Sequence, residues 1–206
     1  MHAYIEKLKN LPGPESIHRK VFANGITLLT FSNFHTHSVD IVGMLDVGAA
    51  ADPKDKLGLA HFVVSMLSRG TQKKDFQTYH DLLESHGASL TFSCGDLHSW
   101  LRGKTLAEDA EMLIALAAES IRQPAFPSEY VERLRSQLIA NLAIRDEDTA
   151  EVASMLFDRA LFPSHPYGEP ADGFVETIQT ITKDDLLSFH SSYFKPQGMV
   201  LAVAGA

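Results

Sequence analysis

The sequence predicts an α+β domain, a mixed and largely antiparallel sheet covered on one face by helices. Three observations predict it. Asn24–Gly25 is a strong turn signal between two β-prone runs, within HRKVFANGITLLTFS (His18–Ser32). The segments that follow run in the order ββ(β)–αα–ββ–αα–α–β, without the regular β–α–β alternation of a parallel sheet. The last of them, MVLAVAGA (Met199–Ala206), is a strand of the buried type.

Taken in order, residues 1–17 form an N-terminal arm that contains Pro12–Gly13–Pro14, and residues 18–206 form one domain. After the first two strands, VDIVGMLDV (Val39–Val47) is a third β-prone run, and Gly48–Pro53 is the loop before a short apolar helix, GLAHFVVSMLSRGT (Gly58–Thr71). Phe76–His86 makes a second helix, with Gly87 as its C-terminal stop. Ala88–Thr105 alternates as two adjacent strands around Gly95–Asp96. Leu106–Ile121 is a helix with Leu106, Ala110, Leu113, Ile114, Ala117 and Ile121 along one side, and Glu108 and Asp109 in its first turn favour the dipole. Ser128 is the expected N-cap of a long helix from Glu129 to about Ala160, with a break expected near Asp146–Thr149. A Pro- and Gly-rich loop (Phe162–Gly173), a short turn at Val175–Ile178 and a helix from Lys183 to about Tyr193, capped by Thr182 with Asp185 three residues on, lead to the final strand.

Composition excludes several classes. A formal charge of −8 disfavours nucleic acid and anionic membrane as partners, since both reward a basic face. No run approaches 18 apolar residues, so no membrane span is expected. The start, MHAYIEKLKNLPGP, lacks an apolar h-region; with Met1 as the native start, a cytoplasmic location is expected. Cys94 is the only cysteine, which excludes an intrachain disulfide and every multi-cysteine zinc site and leaves a small core residue.

The chemistry concentrates on one histidine. No G-x-S-x-G nucleophile elbow and no glycine-rich phosphate loop is present. The inverted zinc motif H-x-x-E-H places two histidines on one helix face with a glutamate as general base. Here the helix reads His61–Phe62–Val63–Val64–Ser65. Val64 stands where the glutamate would be and can neither accept a proton nor orient water. Ser65 stands where the second histidine would be, and a neutral hydroxyl is a poor zinc ligand. One imidazole does not hold catalytic zinc, which ordinarily takes three protein ligands. His80 and Glu84, and Asp96 and His98, are close pairs without a third partner. His80, His86 and His98 are read as surface histidines, His165 as the brace of a turn, and Asp146–Asp148 as a solvated acidic run.

From Val21 onward the chain resembles the N-terminal domain of the pitrilysin/insulinase-type zinc peptidases, especially bacterial members similar to mitochondrial processing peptidase. The resemblance rests on separated segments: ANGITLL; GLAHFVVSMLSRGT, where the family carries GLAHFLEHMLFKGT; Leu83–Ala88 before a strand; Phe162–Gly168 with its HPYG; and Asp184–His190 ahead of Tyr193–Phe194–Lys195–Pro196. It implies a processing-peptidase-like fold. It also implies a third zinc ligand, a glutamate about 76 residues past the second motif histidine; counted from Ser65, that position is Asn141, a neutral and weak donor. The set His61, Val64, Ser65 and Asn141 is therefore expected to be a vestigial site, with no catalytic residues in this domain.

Family enzymes are clam-shells of repeated domains in which one half supplies the metal. The resemblance thus implies that this domain is the first of two similar ones in a longer chain. It would form part of a peptide-enclosing chamber and pair with a catalytic half, fused or separate, with no cofactor of its own and zinc in the partner. An extended or unfolded peptide could pair with an edge strand, with Phe92 and Trp100 as contact candidates; a buried aromatic stripe is the alternative. Two other readings stay open: an active zinc metallopeptidase with a rebuilt site, and a purely structural assembly subunit.

Overall fold

The structure, a computed structural model, describes residues 13–206. The first twelve residues of the expected arm lie outside the described residues. Among the described residues six strands form one sheet: β1 (His18–Val21), β2 (Thr27–Ser32), β3 (Ser38–Leu45), β4 (Ser89–Cys94), β5 (Ser99–Leu106) and β6 (Val200–Gly205). Their order is β1-β2-β6-β3-β5-β4, with β2 and β6 parallel and every other pair antiparallel. The mixed, largely antiparallel sheet is as expected. The turn at Asn24–Gly25 closes the first hairpin through Phe22 N–H donating to Ile26 O at 2.9 Å.

Helices cover one face. They are α1 (Leu59–Met66), α2 (Phe76–Ser85), α3 (Ala110–Arg122), α4 (Ser128–Glu147), α5 (Thr149–Leu161), α6 (Val175–Thr180) and α7 (Lys183–Tyr193). Strand alternation decides which side chains meet them: Val39, Ile41 and Leu45 on β3 and Leu101 on β5 are buried, whereas Val42, Trp100, Arg102 and Lys104 face the other, open side. The core is one cluster in which Phe62, Tyr79, Leu113, Phe126 and Ile178 are fully enclosed. Helix α1 lies at its centre, packed against β4, α4 and α7.

One local expectation holds and three change. The long helix does break, at Asp148, whose carboxylate caps α5 by accepting from Ala150 N at 2.8 Å. The cap of α4 is Pro127 rather than Ser128, which is already helical. Leu106 ends β5 and is exposed, and Ile114 is exposed too, because α3 turns Leu113, Leu116, Ala117, Ser120 and Ile121 inward instead. Strand β6 is only half-buried. Its helix-side residues Leu201 and Val203 line an open apolar groove of about 550 Å³ shared with Leu28, Ile41 and Ile114.

Candidate functional site

The site to test is the one built on α1. Gly58 begins this helix with φ +91°, and a Cβ there would sit 2.6 Å from Asp172 O, so a side chain is excluded on both counts. The free N–H groups of the first turn are taken by Asp52, whose Oδ2 accepts from Gly58 N and Oδ1 from Ala60 N, each at 2.8 Å. Burial pushes the Asp52 carboxyl up to about 7, against the pull of these N–H donors.

Along α1, Leu59, Ala60, Phe62, Val63, Val64 and Met66 are buried, so little of the helix meets solvent. His61 is half-buried. Its Nδ1 is enclosed with no hydrogen-bond partner among the described residues. Burial lowers its pKa, with a smaller opposing pull from the charge of Asp172, so the ring is neutral near pH 7. Val64 is only 1% exposed, Ser65 is half-buried, and Asn141 is exposed on α4. An imidazole, a hydroxyl, an amide and an isopropyl group do not fit catalytic zinc. Among the described residues no group of three or more His, Cys, Asp or Glu side chains is placed to hold a metal.

What does hold this region is a cation that is not a metal. Arg145, one turn beyond Asn141 on α4, has a side chain only 11% exposed. Its Nη1 donates to Asp172 Oδ1 at 2.7 Å and to Gly173 O at 2.9 Å, and its Nη2 to Asp146 Oδ1 at 2.8 Å. This fork pins the loop before α6 against the start of α1, where Thr177 Oγ1 also donates to Leu57 O at 2.7 Å. Lys56 completes the tie by donating from Nζ to Thr180 O at 2.7 Å and Asp185 Oδ2 at 3.1 Å. Sequence reasoning missed Asp52, Arg145 and Asp172. Only Asp52, a few residues ahead of a helix start, left a signal that could have been followed.

The remaining residues fall into place singly. His165 Nδ1 accepts from Tyr167 N at 3.2 Å and braces its turn, as expected. His98 lies 3.6 Å from Asp46, and His80 lies 3.2 Å from Ser68 O. The acidic run Asp146–Asp148 is exposed, as expected, and within it Asp146 pairs with Arg145 and Asp148 caps α5. Phe92 and Trp100 are not brought together. Phe92 pairs with Leu101 on the helix side and packs against the core, whereas Trp100 pairs with Ser93 on the open side, 38% exposed. Among the described residues strand β4 has a partner on one side only, which leaves its other edge open to a further strand.

No helix among the described residues is long and apolar enough to cross a membrane. The family model for insulinase (peptidase family M16) matches residues 28–172. The chain is 26% identical over 187 residues to an uncharacterized zinc protease of Mycobacterium leprae, covering 91% of this chain and 42% of that protein. It is also 26% identical over 183 residues to the mitochondrial-processing peptidase subunit beta of Saccharomyces cerevisiae, covering 89% of this chain and 40% of that one. In fold it is similar to a peptidase M16 inactive domain from Pseudomonas fluorescens, with a TM-score of 0.86 at 23% identity over 92% of this chain and 46% of that chain. The chain thus spans less than half the length of these relatives. With the family model matching more than half of its residues, the chain belongs to the insulinase family of peptidases, family M16.

Proposed function

We propose that this chain is a non-catalytic peptidase-family domain that forms one wall of a peptide-holding chamber and pairs with a catalytic half. One observation carries the reading: the family's metal position is filled by His61, Val64, Ser65 and Asn141, a set that cannot ligate zinc or activate water, within a helix framework that is otherwise intact. The likeness to a domain described as inactive supports it, as does the greater length of the relatives, which leaves room for a second peptidase-like domain on the same polypeptide or another. In this arrangement zinc and its glutamate base belong to the partner. This domain contributes the open edge of β4, along which an extended peptide adds by main-chain hydrogen bonds.

The test is metal content and activity measured together. The purified chain should carry well under one equivalent of zinc and leave an unfolded protein substrate uncut. Mixed with the catalytic half, it should raise that half's peptidase rate. One equivalent of zinc in the chain alone, lost together with peptidase activity on His61→Ala, overturns the reading.

A further inference from the structure

Next to the open edge of β4, we infer a short cationic strip that selects acidic side chains in the added peptide. The inference rests on the peptide-wall reading above and names the class of peptide. The sheet register places three pairs on the open face: Ser93 opposite Trp100, Thr91 opposite Arg102 and Ser89 opposite Lys104. All three edge-strand residues are small hydroxyl side chains, and all three inner ones are large. The small residues leave the space above β4 free, so the longer side chains of β5 can lean across it toward a strand added beyond. From β5 to the added strand is two strand spacings, about 9.6 Å, a gap that an arginine or lysine stem leaning outward and a glutamate leaning back close between them above β4.

The charges on this strip are unspent. Arg102 is flanked by Val42 and Thr91, which carry no charge, and it forms no ion pair among the described residues. Lys104 has only a loose neighbour, Asp40 Oδ1 at 3.8 Å, with both side chains more than half exposed. A chain of formal charge −8 gains nothing from long-range steering of an acidic peptide. Selection is therefore a matter of these two close cations, with Trp100 receiving an apolar residue at the end of the strip. Side chains of a β-strand share a face at every second position. A peptide added antiparallel to β4 therefore reads, from its N-terminus, apolar–x–acidic–x–acidic.

Trp100 is the only tryptophan, so its emission reports binding at the strip itself. Three synthetic peptides of this pattern, carrying Glu, Gln or Lys at the two acidic positions, are titrated into the full chain at low and high salt. The Glu peptide should bind about three- to tenfold more tightly than the Gln peptide at low salt, the range that two partly exposed ion pairs give, and the Lys peptide least of all. High salt should collapse the difference. In the Arg102→Gln, Lys104→Gln double variant the Glu and Gln peptides should bind alike, and because this is a ratio within one protein it is insensitive to any loss of folded material. Equal binding of all three peptides to the unmodified chain, or an unchanged ratio in the double variant, overturns the strip while leaving the peptide-wall reading standing. No binding of any peptide overturns both.

Discussion

A glutamate placed at position 64, where the H-x-x-E-H motif carries one, separates a closed position from an open one. Val64 is 1% exposed on a helix surrounded by β4, α4 and α7, so a carboxylate placed there has no route to water. Glutamate ionises near 4.3 in an unfolded chain, and full burial raises such a group by about 3–4 units. At about 1.4 kcal/mol per unit, Val64→Glu should lose about 4–5 kcal/mol at pH 8 beyond what it loses at pH 4. The sign follows from linkage. The folded variant keeps a proton that the unfolded chain releases, so its stability falls as pH rises from about 4 to about 8 and levels off beyond. A residual cost of about 1–3 kcal/mol persists at pH 4 from the buried neutral acid. Urea unfolding followed by circular dichroism at several pH values, with the unmodified chain as reference, measures the difference. A domain holding about 5–15 kcal/mol could spend most of it here, and a variant folded at pH 4 and unfolded at pH 8 is the extreme form of the same result. A pH-independent loss under about 1 kcal/mol would refute the reasoning, because position 64 would then open on solvent as a working general base must.

Other outcomes follow from the same geometry. Gly173→Ala should lower Tm by about 5–15 °C, because its Cβ would stand 2.1 Å from Leu57 O at φ +74°. Gly87→Ala, at φ +56° with nothing within 4 Å of the added Cβ, should lower it by only about 2–4 °C, and equal shifts would mean that the loop contact is immaterial. Asp52, held near 7 by burial, keeps a proton that the unfolded chain has lost, so it makes stability fall as pH rises from about 4 to about 7. Asp52→Asn should flatten that slope in urea midpoints, and an unchanged slope would place the titration elsewhere. His61→Leu should change stability by no more than about 1–2 kcal/mol. A chelator should leave the Tm of the unmodified chain where it is, and a drop of several degrees would reveal a structural metal.

Short-range signals carried most of the elements. Asn24–Gly25 announced its hairpin, Thr182 and Asp185 cap α7 as their spacing promised, with Asp185 Oδ2 accepting from Thr182 N at 2.7 Å, and the alternation of SLTFSC and SWLRGKTL placed β4 and β5. Pairing between distant segments left no local trace. Nothing in VLAVAG says that β6 lies between β2 and β3, and the apolar run looked buried although its groove is open on the helix side. Alternation leaves open which face each parity meets, so the sequence does not reveal that Phe92 and Trp100 point to opposite sides of the sheet. At the site, Val64 and Ser65 stand at motif positions that a helix's fixed spacing makes legible, whereas Asn141 is reached only through the family resemblance. Arg145 and Asp172 are not legible, because their pairing depends on a loop folding back across α4, which no periodicity encodes.

The position of β6 has a consequence for how this chain comes to be folded. Among the described residues, the hairpin β1–β2 and the antiparallel set β3–β5–β4 are joined in the sheet through β6, which follows the other five strands in sequence and so leaves the ribosome after them. Until Val200–Gly205 is free to pair, the nascent chain holds two partial sheets, each with an unsatisfied edge, on β2 and on β3. Completion then requires one segment to zip into both at once, parallel on one side and antiparallel on the other, across nearly the whole sequence. Such long-range closure is slow. During that wait the apolar edges of β2 and β3 are the surfaces a chaperone would have to guard, and a truncation that removes β6 leaves two half-sheets with nothing to join them.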